Sequence, residues 1–244
     1  MKGQLTIAGL GPGAARLVTP EVQEALAAAS DIVGYGPYVA RVAPRDGQAH
    51  HASDNRQELA RARHALDLAS EGRNVVIVSS GDPGVFAMAA AVFEAMEREP
   101  RYASLDIRVL PGITAMLAAA ARLGAPLGHD FCAINLSDNL KPAALIEHRV
   151  RLAAQAGFAL AFYNPRSRSR PDLFATLLAI LRQECGPDRL ISFARAVSTE
   201  AEELDTVTLA EASPEMADMR TLVIVGNPDT RRVGRYVYTP RSAS

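Results

Sequence analysis

Gln4-Leu5-Thr6-Ile7-Ala8-Gly9-Leu10-Gly11-Pro12-Gly13 and Asn74-Val75-Val76-Ile77-Val78-Ser79-Ser80-Gly81-Asp82-Pro83-Gly84 decide the fold of this chain. Each is an apolar run of strand length that ends in a turn free of bulky Cβ groups, with a helical pattern following it. Such turns let backbone amides approach a ligand closely. Two of them in one chain predict a composite small-molecule pocket.

Working outward, β-like runs alternate with helical ones, the mark of a mainly parallel sheet wrapped by helices. Thr19 is a good N-cap, Pro20 suits the first helical position and Glu21 faces the positive end of the helix dipole, so a helix is expected over 21–30. Strands are expected over 31–35, 74–79 and 105–110, and helices over 55–70, 85–96 and 116–123. Pro111-Gly112-Ile113-Thr114-Ala115 forms a third turn, and Gly124-Ala125-Pro126-Leu127-Gly128 is the expected joint between two domains, 1–123 and 124–244. The second half repeats the alternation. Strands are expected over 131–137, 158–163, 189–194, 205–210, 222–226 and 235–238, with helices over 142–156 and 172–185. Strands crowd toward the end, so a mixed sheet with antiparallel pairing is expected there.

At 244 residues the chain can fill one large domain or two of about 120 residues each, with room for a cleft. No run of about 18 apolar residues reads as a membrane span. The start carries no secretory h-region, which predicts a cytoplasmic protein. Cys132 and Cys185 lie far apart without a CxxC, as expected of reduced, buried thiols rather than metal ligands. The net charge of −1 hides an uneven distribution: between 141 and 170, Lys141, Arg149, Arg151, Arg166, Arg168 and Arg170 face the single acid Glu147. Arginine forks pair bidentately with carboxylate or phosphate, so a polyanionic partner is one expectation and a solvated basic face the other. His50 and His51 are adjacent in what reads as a polar loop, where a solvated pair is favoured over a metal site; His64, His129 and His148 show no supporting spacing.

A dinucleotide-binding fold is the first guess that Gly9-Leu10-Gly11-Pro12-Gly13 invites, and the residues oppose it. The fingerprint needs a third glycine where Ala14 stands, and an acid at the end of the second strand, which Asp31 instead begins. Pro12 also removes an amide that would cradle a pyrophosphate. Some other adenosyl-type ligand fits better.

Gly9-Leu10-Gly11-Pro12-Gly13 with Leu17-Val18-Thr19, then Ser80-Gly81-Asp82-Pro83, then Pro111-Gly112-Ile113-Thr114-Ala115, in that order across almost the whole chain, resembles the tetrapyrrole methylases. The resemblance implies two α/β domains with the ligand cleft between them, S-adenosylmethionine as methyl donor, no metal, and a homodimer. Within the family, Val33-Gly34-Tyr35 with Tyr38, Leu136-Ser137-Asp138-Asn139, Ile146-Glu147 with Arg149, and Phe162-Tyr163-Asn164-Pro165-Arg166-Ser167 are similar to members that methylate carbon 17 of precorrin-3B and contract its ring to precorrin-4 in cobalamin synthesis. Related sequences often carry tryptophan where this chain has Ala143.

Carried over by motif, Pro12, Gly81, Asp82, Val85, Thr114, Ala115, Asn164 and Ala196 match positions that line the donor pocket in relatives. Phe86 and Tyr163 either stack on adenine or belong to the core. Lys141, Arg166, Arg168 and Arg170 are expected to meet the acetate and propionate fringe of a precorrin substrate. Ring contraction needs positioned acid or base groups, and Asp138 is the choice, with helix capping as its plain alternative. No nucleic-acid or membrane partner is expected. Other members of the fold, acting on cobalt-factor III, uroporphyrinogen, other precorrins or RNA, stay open, as does a non-catalytic tetrapyrrole carrier.

Overall fold

The computed structural model describes residues 3–167 and 171–242. Its chain divides into two compact units, residues 1–114 and 115–244.

The first unit contains β1 (Gln4–Gly9), α1 (Pro20–Ala28), β2 (Asp31–Tyr35), α2 (Gly36–Val39), β3 (Ala49–Ser53), α3 (Glu58–Ser70), β4 (Asn74–Ser79), α4 (Met88–Arg98) and β5 (Asp106–Leu110). Its five strands form one parallel sheet in the order β3-β2-β4-β1-β5. Both faces of the central strands are buried, which is why β1 and β4 read as near-continuous apolar runs. Leu5, Ile7, Val75 and Ile77 pack with Leu66, Val92 and Tyr102 on the α3–α4 side, while Ala8, Ile32, Val76 and Val78 pack with Val22 and Val39 on the other. Thr19 caps α1, accepting the Val22 amide at 3.3 Å, with Pro20 at the first position as the sequence predicts.

The second unit contains α5 (Ala115–Leu123), β6 (Gly124–Ala125), β7 (Phe131–Asn135), α6 (Ala143–Gln155), β8 (Ala159–Tyr163), α7 (Leu173–Cys185), β9 (Leu190–Arg195), β10 (Glu203–Thr208), β11 (Thr221–Val225), β12 (Arg231–Val233) and β13 (Tyr236–Tyr238). Its main sheet has the order β10-β9-β11-β8-β7 and is mixed as expected: only β7 and β8 run parallel, and the remaining pairs are antiparallel. Helices α6 and α7 cover one face with Ile146, Val150, Phe174, Leu177 and Leu181. A small sheet, β12-β13-β6, ties the chain's last strands back to Gly124.

Three features differ from expectation. The units divide after Thr114 rather than at 124, because α5 packs against β11, β6 and β13 and so belongs with the second unit. His50 and His51 do not lie in a polar loop: Ala49–Ser53 is β3, paired in parallel with β2. The helix expected from Val85 starts at Met88, because Phe86 adopts φ +54° and cannot be part of a right-handed helix.

Candidate active site

In the first unit three turns meet at the carboxyl edge of the sheet. The chain leaves β1 toward β2, and leaves β4 toward β5 on the opposite side. The ends of β1 and β4, adjacent in the sheet, lie at its carboxyl edge, the edge at which open α/β sheets bind ligands. Gly11 and Gly81 stand at this point, both at φ +64°, a conformation that glycine adopts without Cβ strain. They exchange backbone hydrogen bonds, Gly11 N–H to Gly81 C=O at 3.1 Å and Gly81 N–H to Gly11 C=O at 2.9 Å. Leu10 N–H donates to the Ser79 carbonyl at 2.8 Å. A Cβ on Gly9 would stand 2.6 Å from the Gly81 oxygen and 2.7 Å from the Gly112 nitrogen, so only glycine lets the three backbones come this close.

Asp82 joins the third turn to the second. Its Oδ1 accepts the Gly84 amide at 2.8 Å and its Oδ2 accepts the Gly112 amide at 3.1 Å. The carboxylate thus has a bracing role in addition to the ligand contact expected of it, and each oxygen retains a further lone pair. Arg41, which follows α2, donates through Nη2 to the carbonyls of Leu10, Gly11 and Gly13, and through Nη1 to Gly11 and to the Ser80 hydroxyl. Pro12, Gly81, Asp82, Val85 and Thr114 are accordingly brought to one edge of one sheet. Gly81 and Thr114 are buried there, while Pro12, Asp82 and Val85 are half-buried.

In the second unit the remaining positions expected to meet the donor fall on two loops and a helix start. Ala115 opens α5, and the Met116 amide donates to the Tyr163 hydroxyl at 3.1 Å, so Tyr163 holds the first turn of that helix. Asn164 follows β8 at φ +53°, its amide nitrogen donating to Asn135 Oδ1 at 3.1 Å. Ala196 follows β9 at φ +47° and Ser198 stands at φ +64°. Glu202 holds that turn: its Oε2 takes the Ser198 amide at 2.6 Å and the Arg122 Nε at 3.2 Å. Non-glycine residues in the left-handed region cost roughly 1–2 kcal/mol each and gather where function requires them. Among the described residues there are five, Arg56, Phe86, Asn164, Ala196 and Ser198, and two of these are expected donor positions.

Of the expected substrate contacts, Arg168 and Arg170 lie outside the described residues. Among the described residues Arg166 faces the exposed Glu215, at 3.8 Å, and its buried Nε has no hydrogen-bond partner there. Lys141 is half-buried, and burial followed by the Arg149 charge holds its ammonium below the ordinary lysine value. Asp138 is exposed in the segment after β7; Pro142, not Asp138, occupies the N-cap of α6. Cys132 and Cys185 are half-buried beside the second unit's core, and burial raises both thiol pKa values.

The histidines correct the sequence reading. His51 is not a solvated partner of His50: its Nε2 meets Asp31 Oδ1 at 2.8 Å and its Nδ1 meets His64 Nε2 at 3.1 Å, while His50 bonds Gln48. Asp31 is fully buried and also takes Ser30 Oγ and Arg73 Nε, each at 2.7 Å. Burial alone would raise its pKa, but the hydrogen bonds from Ser30, His51 and Arg73, with the Arg73 charge, outweigh it and hold the carboxyl below its ordinary value. Among the described residues no cluster of three His, Cys, Asp or Glu is arranged to hold a metal, and no helix is long and apolar enough to cross a membrane.

Sequence reasoning missed Arg41, Glu202 and the Tyr163 hydroxyl. Arg41 and Tyr163 work through backbone groups remote in sequence, and Glu202 through an amide four residues back in an irregular turn, so no regular spacing marks these contacts.

The sequence signature of the Tetrapyrrole (Corrin/Porphyrin) Methylases matches residues 4–213, and the chain belongs to that family. It is thus a methyltransferase chain of mixed α/β architecture. A Sinorhizobium sp protein named precorrin-3B C(17)-methyltransferase is 51% identical over 99% of this chain and 97% of its own length. A Salmonella typhimurium protein named probable cobalt-factor III C(17)-methyltransferase is 38% identical over 97% of this chain and 98% of its own. The crystal structure of the methyltransferase CobJ superposes with a TM-score of 0.96 at 67% identity, covering 98% of this chain and 100% of that one.

Proposed function

We propose that this protein transfers a methyl group from S-adenosylmethionine to carbon 17 of precorrin-3B, accompanied by contraction of the macrocycle to precorrin-4 in cobalamin biosynthesis. The observation that carries the proposal is the reciprocal Gly11–Gly81 bridge, tied through Asp82 to Gly112: a rigid arrangement of close-approach turns at the carboxyl edge of the sheet. The choice of substrate follows the relatives, since likeness to the precorrin-3B enzyme (51%) exceeds likeness to the cobalt-factor III enzyme (38%) at similar coverage.

A sulfonium supplies an activated methyl; its sulfur keeps the electron pair of the broken bond, and the acceptor carbon provides the pair of the new one. Such an in-line displacement depends on holding donor and acceptor in attack geometry and on keeping water out, and the proposal assigns it no metal. Pro12, Gly81, Asp82, Val85 and Thr114 of the first unit, with Ala115, Asn164 and Ala196 of the second, are the proposed donor contacts. Braced turns offer amides and carbonyls already fixed in place, so little ordering remains to be done on binding. Lys141, Arg166, Arg168 and Arg170 are the proposed carboxylate contacts. The buried Arg166 Nε, without a partner among the described residues, supports this role, because a buried donor without an acceptor costs about 1–3 kcal/mol unless a ligand fills the gap. Asp138 is the proposed acid or base for ring contraction.

A homodimer in the cytoplasm, without nucleic-acid or membrane partners, completes the proposal; a net charge of −1 supports the absence of nucleic acid. Incubation with precorrin-3B and S-adenosylmethionine, followed by product mass and absorption spectrum, tests it. One added methyl with a contracted ring is expected. A methylated but uncontracted product, or turnover of cobalt-factor III alone, overturns the specific assignment.

A further inference from the structure

Arg41 and Arg45 differ from most other arginines of the first unit. Arg63, Arg73, Arg98, Arg101 and Arg108 each pair with a carboxylate within 4.0 Å, whereas neither Arg41 nor Arg45 has an acidic partner among the described residues. Arg41 gives its Nη hydrogens only to neutral oxygens; its side chain is exposed at the surface, and the partial loss of solvent around the guanidinium holds its pKa below the ordinary value. Arg45 makes no side-chain hydrogen bond or ion pair among the described residues.

Both line one cavity of about 440 Å³ that lies wholly in the first unit and reaches Gly13 of the β1 turn. Leu10, Val18, Leu26 and Val42 give it an apolar floor. Gln23 is its one other polar side chain, and no acid lines it. The combination selects a ligand with an apolar stem and an anionic end. A free inorganic anion would not use the floor, and an uncharged apolar group would not use the two guanidinium groups, which are exposed at its rim.

We propose that this cavity receives one carboxylate-bearing side arm of the tetrapyrrole substrate, its methylenes on the Leu10–Val42 floor and its carboxylate paired with Arg45 and Arg41. The inference rests on the macrocycle methyltransferase reading above and adds a substrate contact on the first unit to those expected around Arg166. Because Arg41 also braces the donor turn, Arg45 is the residue that separates the two roles.

The test uses the full chain and steady-state kinetics with enzymatically prepared precorrin-3B, measuring KM for each substrate in the wild type, Arg45→Gln and Arg45→Lys. Loss of one charge-assisted contact predicts about a tenfold rise in KM for precorrin-3B in Arg45→Gln, with KM for S-adenosylmethionine unmoved and thermal midpoints matched. Arg45→Lys should recover part of the loss, and 0.5 M NaCl should narrow the gap between wild type and Arg45→Gln. An unchanged precorrin-3B KM in Arg45→Gln overturns the subsite, as does a rise confined to the methyl donor. A wild type that binds S-adenosylhomocysteine yet turns over no precorrin-3B overturns the underlying reading instead.

Discussion

Replacing Gly9 by alanine should loosen the donor site while leaving the sheet formed. Gly9 ends β1 with an ordinary negative φ, so the added methyl brings no backbone strain and acts by contact alone. Its Cβ would stand 2.6 Å from the Gly81 oxygen, 2.7 Å from the Gly112 nitrogen and 2.8 Å from the Gly112 Cα, against an ordinary contact of 3.4 Å or more. All three obstacles are backbone, and none can swing aside as a side chain would. The turns must part by about 0.6–0.8 Å, which opens the Gly11–Gly81 bridge and the Asp82–Gly112 bond together. Overpacking of this kind costs about 1–3 kcal/mol. Spent on the geometry of the site, that is a loss of roughly 5- to 150-fold in affinity for S-adenosylhomocysteine, read by titration calorimetry. Gly36→Ala is the control, since a Cβ there meets nothing within 4 Å and should change affinity by less than about twofold. Wild-type affinity in Gly9→Ala, with circular dichroism unchanged, would refute the argument that the three turns act as one body.

Asp82→Asn keeps one acceptor oxygen for two amides, so one of Gly84 and Gly112 loses its partner; a stability loss of about 1–2 kcal/mol and weaker S-adenosylhomocysteine binding are expected by chemical denaturation and calorimetry. Glu202→Ala frees the Ser198 amide and the Arg122 guanidinium, and should weaken donor binding more than Glu202→Gln, which keeps an acceptor; equal effects in the two variants would remove Glu202 from the site's support. The Asp31 carboxyl is held below its ordinary value, so its stabilisation is complete above the unfolded pKa of about 3.8 and is lost as pH falls through the lower, folded value. The urea midpoint should therefore drop steeply below about pH 4. Asp31→Asn should flatten that drop and cost about 2–3 kcal/mol at neutral pH, discounted because Arg73 is 40% exposed.

Legibility in the sequence followed how local each cause was. Thr19-Pro20-Glu21 carries the whole signal for the start of α1, and the apolar runs 75–78 and 159–162 announce strands buried on both faces. The turn at 9–13 was legible because glycine and proline punctuate the chain wherever it is read. Ala49-His50-His51-Ala52-Ser53 was not, since its residues have little strand preference and β3 exists only because β2 lies beside it to be paired. Phe86 hid in the same way: its left-handed turn belongs to the packing of the Asp82 loop, not to its own side chain. The expected donor positions on the three glycine turns came from motifs shared with the family, and those of the first unit lie together at one edge of its sheet. Arg41, Glu202 and the Tyr163 hydroxyl serve backbone atoms 28 to 47 positions away or within an irregular turn, where only coordinates reveal the partner.

Asn164, Ala196 and Ser198 hold a backbone posture that glycine would adopt at no steric expense. A laboratory selection for heat resistance would therefore reward glycine at these places if the relief of strain exceeds the added freedom of the unfolded chain. The winners would carry looser loops at Asn164 and Ala196, two of the proposed donor contacts. Endurance and grip pull against each other in these few residues, and a catalyst hardened by blind screening is most prone to lose its affinity there.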